Sequence, residues 1–133
     1  MIRMDKDVAS LAESIRVEAV ASYLEAQSQP DDRRFVFSYT INIYNAGGAA
    51  AQLLTRHWLI TDADGRVQEV HGEGVIGEQP HIQPGEAHTY SSGAVLETPV
   101  GTMEGRYGMV APDGTEFDTA IPVFSLAVPG VLN

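Results

Sequence analysis

The sequence contains no cysteine. Disulfides, zinc–cysteine centres, iron–sulfur clusters and thiol nucleophiles are therefore excluded, and the absence agrees with a reducing, cytoplasmic setting. Nor is there a run of about 18 consecutive apolar residues, so no segment reads as a membrane-spanning helix. No secretory leader is read either. The start, Met1-Ile2-Arg3-Met4-Asp5-Lys6-Asp7, mixes charges, and the apolar stretch at Val8, Ala9, Leu11 and Ala12 is interrupted by Ser10 and ended by Glu13. Basic residues are scarce: eight Lys and Arg against 18 Asp and Glu leave a formal charge of −10. That balance repels a polyphosphate backbone and an anionic lipid surface, so nucleic acid and membrane insertion are not expected. The acidity serves solubility, or attracts a cation or a basic partner.

What is present is a chain of 133 residues, enough for one domain whose core needs no covalent staples. Residues 1–13 read as a loose, flexible tail with a helical turn near Val8 to Glu13, and residues 14–133 as the folded domain. From Ile15 the hydrophobic period is two, with Val17, Ala19, Ala21 and Tyr23 alternating with Arg16, Glu18 and Ser22. A turn-rich stretch from Gln27 to Asp32 precedes the clearest strand, in which Phe35, Phe37, Tyr39, Ile41 and Ile43 share one face. A third run, Leu53 to Thr61, is closed by Asp62-Ala63-Asp64-Gly65, a hairpin signal because the glycine accepts a positive φ.

Further strands are read at Val67 to Ile76 and Ala87 to Ser92, with glycines 93 and 101 bracketing a loop around Pro99. A second hairpin joins Gly105–Val110 to Glu116–Ile121 through Pro112-Asp113-Gly114, and Pro122 in the closing strand marks a sheet edge or a bulge. About seven to eight short strands without a long helix predict an all-β, immunoglobulin-like or fibronectin type III-like sandwich of antiparallel strands. Trp58 in mid-strand and Tyr107, placed where a tyrosine corner would lie, agree with that class.

Several strings are similar to the ApaG family: Gln52 to Asp62, Val70-His71-Gly72-Glu73-Gly74-Val75-Ile76-Gly77-Glu78-Gln79-Pro80, Pro84-Gly85-Glu86, Tyr90-Ser91-Ser92-Gly93, Gly101 to Tyr107, and Ile121 to Leu126. The resemblance covers Ile15 to Leu126. It implies the same sandwich fold and an association with cobalt and magnesium resistance or efflux. In eukaryotic relatives, where the domain occurs in F-box proteins and a polymerase delta-interacting protein, it implies a protein-interaction role.

Gly72-Glu73-Gly74-Val75-Ile76-Gly77 matches G-x-G-x-x-G, but no helix follows and no βαβ unit surrounds it, so a bulged strand or turn explains the glycines more simply than a phosphate cradle does. An anion or nucleotide site of pyrophosphate type would place Gly72, Gly74 and Gly77 beside Arg56 and His71. Arg56 and Trp58 fall on one face of their strand and His57 on the other, which puts Arg56 near the core rim, beside an acidic partner. No two of the histidines at 57, 71, 81 and 88 are spaced i, i+2. A divalent-metal site would therefore have to form across strands, for example from His71 and His81 with Glu73 or Glu78, and would suit a cobalt-like ion better than magnesium. Ser91 and Ser92 lack a nucleophile-elbow context, and Asp62 and Asp64 lack the remaining ligands of a calcium loop.

No catalytic constellation is nominated, no cofactor is expected, and no metal is assigned. The reading is a non-enzymatic interaction or regulatory module that docks a protein partner through its loops or an exposed sheet edge. The alternatives are an anion-binding or nucleotide-binding domain and a divalent-metal sensor.

Overall fold

Alternation of apolar and polar residues dictates the architecture. In β1 (Ile15–Tyr23) and β2 (Phe35–Asn45) the odd-numbered residues turn inward, and Phe37, Ile41 and Ile43 are wholly buried. These strands pair antiparallel in one register, Ile15 opposite Asn45 and Tyr23 opposite Phe37. On the other side β2 pairs with β6 (Ala87–Leu96), giving a three-stranded sheet in the order β1-β2-β6. The second sheet has the order β4-β3-β7-β8, from β3 (Ala51–Asp62), β4 (Val67–Glu73), β7 (Val100–Val110) and β8 (Glu116–Ala127); a two-residue β5 (His81–Ile82) pairs with the start of β3. The computed structural model of the chain describes residues 3–131. Among them no helix is long and apolar enough to cross a membrane.

The hairpins at Asp62–Gly65 and Pro112–Gly114 form where turn chemistry places them, with Gly65 and Gly114 at φ +83° and +88°. Glycines 93 and 101 lie inside β6 and β7 instead of marking loop ends. At Gly101 the reason is close approach, since a Cβ there would stand 2.5 Å from the Thr61 carbonyl oxygen. Pro122 is both at an edge and at an irregularity: β8 ends its sheet, and its register with β7 shifts between Met103 and Gly105, opposite Phe124 and Ile121. Where a loose tail was expected there is a helix, α1 (Arg3–Ser14). Val8, Leu11 and Ala12, at helical spacing, pack against the core, which is why the segment is helical. Residues 1 and 2 of that expected tail lie outside the described residues.

The core fills the space between the sheets. Trp58 is buried among Tyr39, Tyr107 and Phe124, with ring centroids 5.4, 6.4 and 6.0 Å away in edge-on arrangements. Tyr107 is not a tyrosine corner. It lies well inside β7, and its hydroxyl meets that of Tyr90 across the sandwich instead of a backbone carbonyl. Burial drives both phenol pKa values well above the ordinary tyrosine value, and at Tyr107 the neighbouring Tyr90 adds to the rise.

The folded state therefore holds protons that an unfolded chain releases above about pH 10. The contribution of these two tyrosines to stability is constant below that pH and falls above it, by about 1.4 kcal/mol per pH unit for each tyrosine. Urea unfolding as a function of pH checks this. The slope should shrink in Tyr90→Phe/Tyr107→Phe, and at neutral pH Tyr107→Phe alone should cost about 1–3 kcal/mol, more than the double substitution, because it strands a buried hydroxyl.

Candidate functional site

The residues nominated for an anion site all lie on β3, on β4 and in the turn after β4, whereas His81 lies on β5, and the placement of the β3 residues depends on one irregularity. The register of β3 with β7 shifts between Leu53 and Thr55. Leu53 faces the core. After the shift Arg56 and Trp58 face inward, while His57 turns to the outer face of the five-stranded sheet. The expected division of Arg56 and Trp58 from His57 is what the structure shows.

Arg56 lies across the inner side of β4 in space left by a missing side chain: a Cβ on Gly72 would fall 2.5 Å from the guanidinium carbon. From there Nη1 donates to the carbonyl oxygens of Glu73 and Gly74, both at 2.9 Å. The expected acidic partner is replaced by two backbone acceptors. Arg56 also stands near Tyr39 and Tyr90, and together with the turn these residues line a recess of about 270 Å³.

The G-x-G-x-x-G segment is a hairpin turn and not an anion cradle. Val75 and Glu78 exchange backbone hydrogen bonds of 2.8 and 3.0 Å across Ile76-Gly77, and both turn residues have positive φ, 48° and 74°. That is the pattern of a two-residue type I′ turn. Gly74, at φ +64°, donates to the Leu54 carbonyl, and a Cβ on it would collide with the Glu78 oxygen. The amides of Gly74, Val75 and Glu78 are thus engaged within the chain, as is Arg56. Gly72 and Gly74 lie beside Arg56, Gly77 sits in the turn, and His71 lies on the opposite face of the sheet, so the five residues do not converge on one ligand.

Two features were not nominated. One is on the outer face, where His71 meets His57 and not His81. Backbone bonds from Asp62 to Arg66 and from Gly74 to Leu54, in an unbroken register, make His57–His71 a non-hydrogen-bonded pair, the kind whose side chains approach closely. Their rings stack with centroids 4.1 Å apart, and Glu69 reaches both Nε2 atoms, at 3.0 and 3.4 Å. These histidine contacts, that to His57 first, hold the Glu69 carboxyl below its usual pKa. Glu73 and Glu78, expected as partners, are not in this group; the i, i+2 pair Glu69 and His71 was the sequence signal for it. The face around it is a shallow open depression of about 480 Å³, bordered by Thr55, Arg106 and Asp118.

The second feature is the open side of the sandwich between the terminal strands β4 and β6. Val67 and Val95 flank one end of it and Ile76 the other, and all three are exposed, Ile76 at 61 %.

Two antiparallel sheets packed face to face over one shared core define an immunoglobulin- and fibronectin-like β-sandwich. Within that class the chain belongs to the ApaG domain family, whose description matches residues 25–111. It is 60% identical over 119 residues to Protein ApaG of Azoarcus sp. (strain BH72), covering 90% of this chain and 94% of that one. An X-ray structure of a structural-genomics target superposes with a TM-score of 0.88 at 54% identity, covering 92% of this chain and 93% of that one. The crystal structure of an ApaA protein from Bordetella pertussis superposes at 0.86 with 45% identity, covering 88% and 95%.

Ile76 tests the turn assignment. A β-branched residue at positive φ is strained, and type I′ turns favour asparagine there. Ile76→Asn should therefore raise stability by about 1 kcal/mol in urea unfolding, whereas a loss of stability would contradict the assigned turn.

Proposed function

We propose that this domain is a non-enzymatic interaction module that takes an extended segment of a partner protein onto the free edge of β6. The observation that carries this reading is how unlike β6 is to the other three terminal strands. β1 bears Arg16 and Glu18, and β8 bears Pro122 with its register shift. β4 is only seven residues long, carries Glu69 and Glu73, and has one edge carbonyl occupied by Arg56. Short length, charge, proline and bulges are the devices that keep sheet edges from pairing with other chains. β6 runs ten residues, Ala87 to Leu96, without an Asp, Glu, Lys, Arg or Pro.

The direction of its hydrogen bonds follows from the register. Leu24 and Ala46 fix the even-numbered residues of β2 as partners of β1, and Asn45 donates to Glu86 on the other side. The even-numbered residues of β6 therefore bond to β2, and Ala87, Thr89, Ser91, Gly93 and Val95 direct their N–H and C=O groups outward. Their side chains are small and exposed, and no other segment pairs with this edge among the described residues. An incoming strand would satisfy that edge by main-chain bonding, with Val67, Ile76 and Val95 offering apolar contacts. The charge of −10 favours a segment that also carries basic residues.

Panning a random peptide library against the domain tests this. Extended sequences with alternating apolar and basic residues should be enriched. Ser91→Pro, which removes an outward N–H and leaves the ladder to β2 intact, should abolish binding with little loss of melting temperature. Enrichment unaffected by Ser91→Pro, or no enrichment at all, would contradict the proposal.

A further inference from the structure

We propose that His57, Glu69 and His71 form a binding site for a borderline divalent transition-metal ion of the Zn²⁺ or Ni²⁺ kind, on the outer face of the five-stranded sheet. One donor atom from each of the three lies within 4.8 Å of the other two. An ion bound at about 2.0–2.2 Å from imidazole nitrogen and carboxylate oxygen holds its ligands a little over 3 Å apart. The Glu69 contacts are already at 3.0 and 3.4 Å, so closure needs only side-chain rotation.

Part of the site is built in advance. His57 is only 9% exposed, and it stacks on His71 in a cross-strand pair fixed by the register. A buried ring loses little further freedom on binding, and the two movable ligands, His71 and Glu69, stand on one strand at i, i+2. The Nδ1 atom of His57 is buried and has no hydrogen-bond partner. The ring is thus held by packing, with Nε2 as the nitrogen directed at Glu69.

The donor set selects the ion. Two imidazoles and one carboxylate suit zinc, nickel and their neighbours, whereas magnesium and calcium favour all-oxygen sites. The cation nearest in the ladder, Arg106 opposite His57, has its Nε 3.7 Å from an Asp118 oxygen. Side-chain exposures of 63% for His71 and 55% for Glu69 leave the remaining coordination positions open to water or to a ligand from another molecule.

Isothermal titration of the untagged full-length chain with ZnCl₂, NiCl₂ and MgCl₂ tests the site, with CoCl₂ absorption reporting the coordination geometry. The expected result is saturable binding of one zinc or nickel ion per chain and no comparable response to magnesium. Affinity should fall at least about tenfold in His71→Ala and in Glu69→Gln, and should be unchanged in His81→Ala. Because His71 and Glu69 are exposed, the metal-free melting temperatures of their variants should match that of the parent chain, which separates lost binding from lost folding. No saturable binding, an equal response to magnesium, or full affinity in His71→Ala would overturn the proposal.

Discussion

The register shift in β3 between Leu53 and Thr55 is the constraint on which the rest of the molecule depends. Strict alternation from the buried Leu53 would carry Thr55 and His57 into the core and turn Arg56 and Trp58 out to water. One extra residue reverses the phase. Trp58 then enters the aromatic cluster of Tyr39, Tyr107 and Phe124, and Arg56 reaches the carbonyls at the end of β4 through the gap at Gly72. His57 is delivered to the outer face beside His71. Core packing, support of the turn and the histidine cluster thus share one backbone irregularity.

Much of this was legible in the residues. The alternation in β2 was unmistakable, the Asp-Gly turns lay where they were read, and Pro122, which signals an edge or a bulge, stands at both. The separation of Arg56 and Trp58 from His57 was also readable. Apart from the i, i+2 pair Glu69 and His71, what escaped had no local chemical signal. The β3 shift contains neither glycine nor proline. The turn at Ile76-Gly77 lacks the asparagine or aspartate that usually marks it, and β5 is too short to show a period. The apolar stripe of α1 is only Val8, Leu11 and Ala12, and its helical state depends on packing against the core. The meeting of His71 with His57 instead of His81 is set by cross-strand register, which no single strand encodes.

The glycine-rich segment shows how a motif can be structural in each of its parts. Gly72 makes room for a guanidinium, Gly74 for a carbonyl, and Gly77 takes a positive φ next to a strained isoleucine. With those groups engaged internally, unsatisfied capacity lies at the periphery. It is found in the outward row of backbone groups on β6 and in the His57–Glu69–His71 face. They lie on different sheets, so occupancy of one does not require the other.

Residue-resolved amide hydrogen exchange along β6 tests the central claim, that this edge is free, most directly. The account predicts strict alternation: slow exchange at Tyr90, Ser92 and Ala94, whose amides face β2, and fast exchange at Thr89, Ser91 and Gly93, whose amides face outward. Equal protection of the two sets would mean that the edge is already covered, and would contradict the account.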